Sequence, residues 1–284
     1  MRNLSILLLL LLLALTGCKR EIDFDYHDVE PVVNIEGRIT NEQAYVLITR
    51  SRSMGDSVRG RGIGGADVVI SCDGRSEQLV YHADDGRYHS PTGWTGEAGK
   101  TYQLRVTLDG RQYEATSTMP PPAPITSASF TWLKVLTNQL LIFSVWATDP
   151  APDVRNYYWY RMDRRSVNPE ARRKQAGDAY RWNVFDDRGS MGGRIYRDIH
   201  CMMDEQEDDP DEDDLKSVLF DGDTITFQLM TIDRPAFDYY QSLSSGQRMG
   251  ANPQSNITGG CQGYFAAGNV TRTDTLYYHK TNRE

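Results

Sequence analysis

One cysteine in this chain stands where its thiol becomes a substrate. Arg2 precedes a leucine run from Leu7 to Leu13, and the segment closes with Leu15-Thr16-Gly17-Cys18. Small residues before a cysteine, after a short apolar run, form a lipobox. The Cys18 sulfur takes a diacylglyceryl group, residues 1–17 are cut away, and the new amino terminus is acylated with a chain such as palmitate. The run is shorter than the about 20 apolar residues that cross a bilayer core of about 30 Å, and its basic start marks a signal peptide, not a span. One acyl chain anchors only marginally, at roughly 0.8 kcal/mol per buried methylene, so several chains on Cys18 would hold a folded body stably on a membrane.

The other reactive residue types are less organised. Cys72, Cys201 and Cys261 lack metal-ligand spacing such as C-x-x-C. At most one internal disulfide fits three cysteines, and a Cys201–Cys261 bridge would contribute about 4 kcal/mol in the chain-entropy model. DEQEDDPDEDD, residues 204–214, holds nine acids in eleven positions, with Asp209, Asp211 and Asp213 as candidate calcium ligands. An EF-hand starting at Asp209 needs Gly at its sixth position and Glu at its twelfth, where Asp214 and Phe220 stand. A solvated acidic loop facing the basic insertion 161–174, or facing a partner, is the favoured reading. The five histidines show no H-E-x-x-H spacing, and no G-x-S-x-G or S-x-x-K motif occurs. His82 and His89, around Asp84, Asp85 and Tyr88, read as solvated turn residues. Gly60, Gly62, Gly64 and Gly65 lack a Walker lysine and read as a loose loop. No catalytic residue, resident metal or cofactor is therefore assigned. A two-carboxylate glycosidase leaves no motif, which keeps a glycan-active enzyme as a third reading.

These residues need a scaffold, and the chain supplies strands. It has 284 residues, 16 Tyr and a net charge of −8, one unit more negative once Arg2 is removed. Nucleic acid and anionic lipid headgroups are poor partners for such a body. The length accommodates two domains with cores of their own. Residues 18–30 are polar and acidic, a lipidated tether. Between Pro31 and Met119 the runs VVNIEGRIT, AYVLITR, ADVVISC, SEQLVY, RYHS, TYQLRVTL and RQYEATST are separated by turn residues, and Asp109-Gly110 between alternating runs is a tight hairpin. Seven short strands predict a β-sandwich over 31–119. Prolines at 120, 121, 122 and 124 make 120–124 a stiff linker.

Residues 125–284 predict a second sandwich, from ASFTWLKV, LLIFSVWAT, YYWYRMD, YRWNVF and DTITFQLMTI, interrupted by the two charged insertions. Its aromatic residues read as core more than as a sugar-binding surface, with alternation turning half of Tyr157, Tyr158, Trp159 and Tyr160 outward. Pro235 followed by AFDYYQSL predicts a short helix stopped by Gly246. NPQSNITGGCQGYFAAGNV is a glycine-rich turn leading into a strand, and TRTDTLYYHK a last edge strand. The fold class is all-β: two tandem Ig-like β-sandwich domains after a lipoprotein signal peptide, with at most one or two short helices.

Four stretches, EIDFDYHDVEPVVNIEGRIT, TGEAGKTYQLRVTLDGRQYEATSTMPPP, TDPAPDVRNYYWYRM and NPQSNITGGCQGYFAAGN, together resemble a family of Bacteroidetes lipoproteins known only as a domain of unknown function and often encoded beside TonB-dependent outer-membrane receptors. The likeness spans nearly the whole chain after Cys18. It implies two β-sandwich-like domains on an outer-membrane anchor, facing the cell surface or the periplasm, an accessory role in uptake through the neighbouring receptor, and no catalytic residues. Asp149, Pro150, Asn252, Pro253, Asn256, Gly259, Gly260 and Gly263 match its pattern. Their physical reading is structural: Asx and proline turns, and backbone at φ above zero. The same phylum glycosylates Asp-Ser/Thr-apolar triplets. Asp56-Ser57-Val58 makes Ser57 the candidate, since Asp223-Thr224-Ile225 and Asp274-Thr275-Leu276 fall in predicted strands. The expected function is a non-enzymatic outer-membrane lipoprotein, an accessory or ligand-capturing subunit of a TonB-dependent uptake system, whose ligand the sequence does not name. An adhesive or scaffolding surface lipoprotein is the alternative.

Overall fold

Alternation of apolar and polar residues sets most of the strands. The computed structural model describes residues 31–51, 62–136, 138–175, 177–188, 190, 193–203, 214–249 and 252–280. The first half carries β1 (Val33–Thr40), β2 (Ala44–Arg50), β3 (Asp67–Cys72), β4 (Arg75–Gln78), β5 (Val80–His82), β6 (Arg87–His89), β7 (Thr101–Leu108) and β8 (Arg111–Thr118). The second carries β9 (Ile125–Val135), β10 (Asn138–Thr148), β11 (Tyr157–Arg165), β12 (Arg181–Asp186), β13 (Arg194–Met203), β14 (Val218–Leu219), β15 (Thr224–Ile232), β16 (Gln262–Arg272) and β17 (Leu276–Tyr277), with helices α1 (Pro169–Gln175) and α2 (Arg234–Met249). Tyr102, Leu104, Val106 and Leu108 of β7 point inward and their neighbours outward, the period-two signature of a half-buried strand. Asp109 and Gly110 turn the chain back at φ 51° and 76°, as a two-residue hairpin turn of this hand requires.

Among the described residues the strands form three sheets. The largest runs β12-β11-β15-β16-β1-β2-β6-β5, with β17 also on β15; the others run β14-β13-β10-β9 and β4-β3-β7-β8. Each smaller sheet closes a sandwich on one end of the large one. Ile35, Ile39, Val46 and Ile48 pack with Val68, Ile70, Leu104 and Val106, while Tyr158, Tyr160, Phe227 and Leu229 pack with Leu141, Phe143, Val145 and Ile199. The buried apolar residues described before the proline joint pack in the first core and the largest group of those after it in the second, yet the halves share a sheet. β16, from the far end of the chain, lies parallel to β1, with Gly37 opposite Phe265, and antiparallel to β15 on its other side. Phe265 and Ala267 belong to the first-half core. Val32–Glu284 is thus one compact unit, where a sequential pair of sandwiches was expected. Gly263 makes the close approach fit: its φ is +117°, and a Cβ there would collide with the Ile35 carbonyl.

A third apolar cluster covers the outer face of the large sheet. Ala236, Phe237, Tyr239 and Tyr240 of α2 pack on Trp159, Met230, Ile232 and Tyr264. Asp233 starts this helix, its Oδ1 accepting the Ala236 N–H at 3.1 Å, while its Oδ2 accepts from the Ser117 hydroxyl at 2.7 Å. The helix continues through Gly246 to Met249, past the expected stop, since glycine inside a helix costs only about 1 kcal/mol. With α2 on one side and a sheet on the other, the first half of β11 is covered on both faces, while Arg161, Asp163 and Arg165 further along reach solvent. Tyr158, Trp159 and Tyr160 are all buried, correcting the expectation that half of this run faces outward.

The basic insertion is partly helical. Asn168 Oδ1 accepts the N–H groups of Glu170 and Ala171 at 2.9 and 3.2 Å, with Pro169 at the first helical position of α1. Nearby, Arg164 is buried; it donates to Gln175 Oε1 at 2.6 Å and to the carbonyls of Leu215 and Val218, with Asp223 at 4.0 Å. Asp223 in turn accepts from the Ser166 hydroxyl and the Val167 N–H at 2.9 and 2.7 Å.

Candidate functional site

Glu36 and Arg38 stand two residues apart on β1 and so share one face of the sheet. Glu36 lies opposite Tyr264 of β16, and Arg38 lies opposite Tyr45 of β2. On an open sheet both side chains would meet water. Here α2 lies over the face, and Arg38 meets rings. Its Nε donates to the Tyr264 hydroxyl at 2.7 Å and its Nη2 to the Tyr240 hydroxyl at 2.6 Å. The guanidinium carbon stands 4.5 Å from the centroid of Trp159, 5.5 Å from that of Tyr264 and 5.9 Å from that of Tyr240. Such cation–π contacts are worth about 0.5–2 kcal/mol. They hold the group without neutralising it. Burial pushes the Tyr240 and Tyr264 hydroxyls well above the ordinary tyrosine value, so neither supplies a negative charge at neutral pH. Among the described residues Arg38 has no carboxylate partner. Of the five N–H donors on a guanidinium, the two tyrosine bonds are the ones Arg38 uses here.

Beside this group opens a cavity of about 240 Å³, walled by Arg38, Trp159, Tyr240 and Tyr264, with Trp182 and Leu243 half-buried at its side. Glu36, Arg161 and Asp178 add charged groups to the wall. Arg161 spends its Nε on Asp163 Oδ1 at 2.7 Å. The volume lies just under the about 300–1,000 Å³ typical of sites for drug-sized ligands. The wall offers the half-buried Trp182 ring, the Glu36 carboxylate and a cation with donors to spare, a set that can bind and orient a small polar ring. A cleft of about 400 Å³ lies on the outer face of β3, β7 and β8 and one of about 550 Å³ beside Trp146. Neither holds a half-buried cation among aromatic rings.

The residues singled out from sequence fall elsewhere. Cys18, Ser57, Asp209, Asp211 and Asp213 lie outside the described residues. The Cys201–Cys261 bridge is not formed: both thiols are free, Cys201 in the second-half core and Cys261 in the first. Burial pushes each up to about 11, so both stay protonated in separate cores. Asp149 Oδ1 accepts the Ala151 N–H at 3.1 Å, an Asx turn through Pro150, and accepts Asn156 Nδ2 at 2.9 Å. Asn252 is exposed and Pro253 half-buried. Asn256 grips Phe265 through both its amide and its carbonyl at 2.9 Å, and Gly259, Gly260 and Gly263 bend the chain at φ 96°, 85° and 117°. None of these touches ligand space in the cavity, but Asn256 and Gly263 fix the strand on which Tyr264 sits. His89 Nε2 lies 2.7 Å from Asp85 Oδ2. Among the described residues no three His, Cys, Asp or Glu side chains are grouped to hold a metal.

Arg38 escaped the sequence reading because an arginine between Gly37 and Ile39 looks like any outward strand residue. The adjacent Tyr239 and Tyr240 were visible as part of a helix, but not as a wall. A family model described as a domain of unknown function (DUF4249) matches residues 19–274. No curated protein matches the chain.

Proposed function

The chain belongs to the DUF4249 family, and from that footing we propose that it is a non-enzymatic Bacteroidetes outer-membrane lipoprotein, anchored through Cys18, that captures a ligand for a TonB-dependent receptor. The observation that carries the binding role is the aromatic cavity around Arg38. Small-molecule sites are concave and mostly aromatic or apolar, with a few convergent polar groups, and this cavity has that composition. The lipobox ending at Cys18 and the acidic tether after it support the anchor. The experiment is mild detergent extraction of native membranes from cells carrying a carboxyl-terminal tag. A stoichiometric TonB-dependent receptor should co-purify, and Cys18→Ala should release the chain from the membrane. Recovery of the lipidated chain alone would sink the uptake role.

That second outcome would favour an adhesive or scaffolding lipoprotein, for which one feature speaks. Trp146 and Tyr196 pair with ring centroids 4.3 Å apart and planes tilted by 36° on the outward face of the β14-β13-β10-β9 sheet, 39% and 45% exposed, with Leu133 on the same face at 51%. Leu133 sits on β9, an eleven-residue edge strand that among the described residues pairs with β10 alone. Exposed apolar strips and long free edges are surfaces on which other chains dock.

A further inference from the structure

We infer that the cavity around Arg38 selects an acidic sugar of monosaccharide size, its carboxylate paired with Arg38; the inference rests on the ligand-capturing reading above. A guanidinium held in place by Tyr240 and Tyr264, with donors unspent, is preorganised for a planar carboxylate, which it can meet through two parallel hydrogen bonds. A charge taken from water without a counter-charge is costly, and an anionic ligand supplies that counter-charge. Glu36 and Asp178 also face the cavity. They would repel a compact multivalent anion such as phosphate, while a Glu36 carboxylate oxygen can accept a hydrogen bond from a sugar hydroxyl. Arg161 is charge-paired with Asp163, whereas Arg38, with no carboxylate partner among the described residues, is the cation left for an anionic ligand to balance. Trp159 and Tyr264 are buried against Arg38, and the half-buried Trp182 ring supplies the plane on which the C–H face of a pyranose can lie. One negative group, several hydroxyls and a flat apolar face describe a uronic acid.

The test is calorimetric titration of the full chain in detergent with glucuronate, galacturonate and mannuronate. Each is compared with its neutral hexose and its methyl ester, and phenylalanine serves as a zwitterionic control. At least one uronate should bind about tenfold or more tightly than its neutral counterparts, the scale of one charge-assisted pair. Arg38→Gln should erase that preference, and Trp182→Ala should weaken acid and neutral sugars alike. Arg38→Lys keeps the charge and reports whether the cage folds without a guanidinium. The wild-type acid-to-neutral ratio decides the question even if Arg38→Gln does not fold. Equal binding of acid and neutral sugars, tighter binding of phenylalanine, or no binding by any uronate would overturn the inference. The receptor experiment separates the two claims: a co-purified receptor without uronate preference removes only the ligand class, whereas a chain recovered alone removes the uptake role.

Discussion

Arg164 and Arg38 bury guanidinium groups in opposite ways. Arg164 is enclosed by fixed acceptors, Gln175 Oε1, two carbonyls and Asp223 nearby, whereas Arg38 has two neutral hydroxyls and ring faces. Removing Arg164 strands a buried carboxylate and orphans carbonyls, so Arg164→Ala should cost about 3–5 kcal/mol in urea unfolding. Arg38→Ala orphans only tyrosine hydroxyls and should cost about 1–3 kcal/mol; the reverse ranking would refute this account of the two sites. Asp233 makes a pH prediction. Burial holds its carboxyl above the ordinary 3.8, against hydrogen bonds from Ser117, Ala236 and Thr118 that pull it down. The folded state therefore holds this proton more tightly than the unfolded chain does. The stability it lends is complete below pH 3.8 and fades as pH rises through the folded value. Asp233→Asn keeps a good helix cap and removes the slope. Wild-type stability relative to this variant should fall between acid and neutral pH, and parallel curves would exclude the effect. At this scale turn residues were the legible ones: Asp109-Gly110 is an Asp-Gly hairpin in sequence and in space. Arg38 was not, because its character comes from residues more than 200 positions away.

Elements whose partners lie next to them in sequence were readable, and those whose partners are remote were not. β7 and β8 announce themselves by alternation, and their hairpin fixes their register. β13 hides its alternation of Ile195, Ile199 and Cys201 among Arg194, Arg197 and Asp198, and α1 had a legible start in Asn168-Pro169 that the surrounding basic charge obscured. The strand after the glycine-rich turn was visible, but its place between β15 and β1 was not, since periodicity specifies a face and not a neighbour. Gly263 is where that placement can be tested. Ala at positive φ costs about 1–2 kcal/mol by backbone sterics, and at Gly263 the added Cβ also meets the Ile35 carbonyl, whereas at Gly260 nothing lies within 4 Å. Gly263→Ala should therefore be clearly more destabilising than Gly260→Ala in thermal melts. Equal losses would mean that the contact with β1 does not matter.

The all-β class follows from strand-rich runs, and the structure has it. The two tandem domains expected on either side of Pro120–Pro124 are not separate units, since Ile257, Cys261, Phe265 and Ala267 join the first-half core. The sharing of β16 by the two halves could not be read locally. It carries a prediction: residues 31–124 expressed alone should fail to show cooperative unfolding, and a peptide covering 252–280 added in trans should restore it. A cooperative melt of the fragment alone would contradict the shared strand. The cavity has the same dependence, with Arg38 from one half and Trp159, Tyr240 and Tyr264 from the other. The pairing of β1 with β16 also governs the order in which the molecule can be made. Arg38 and Tyr264 are 226 positions apart, a contact of high sequence separation that closes late and slowly. During synthesis β1 emerges near the start and keeps an open edge until residues 262–272 arrive. A chain that stops short carries that edge exposed, ready to pair with the wrong strand, so incomplete products are distinguished from complete ones by their own geometry.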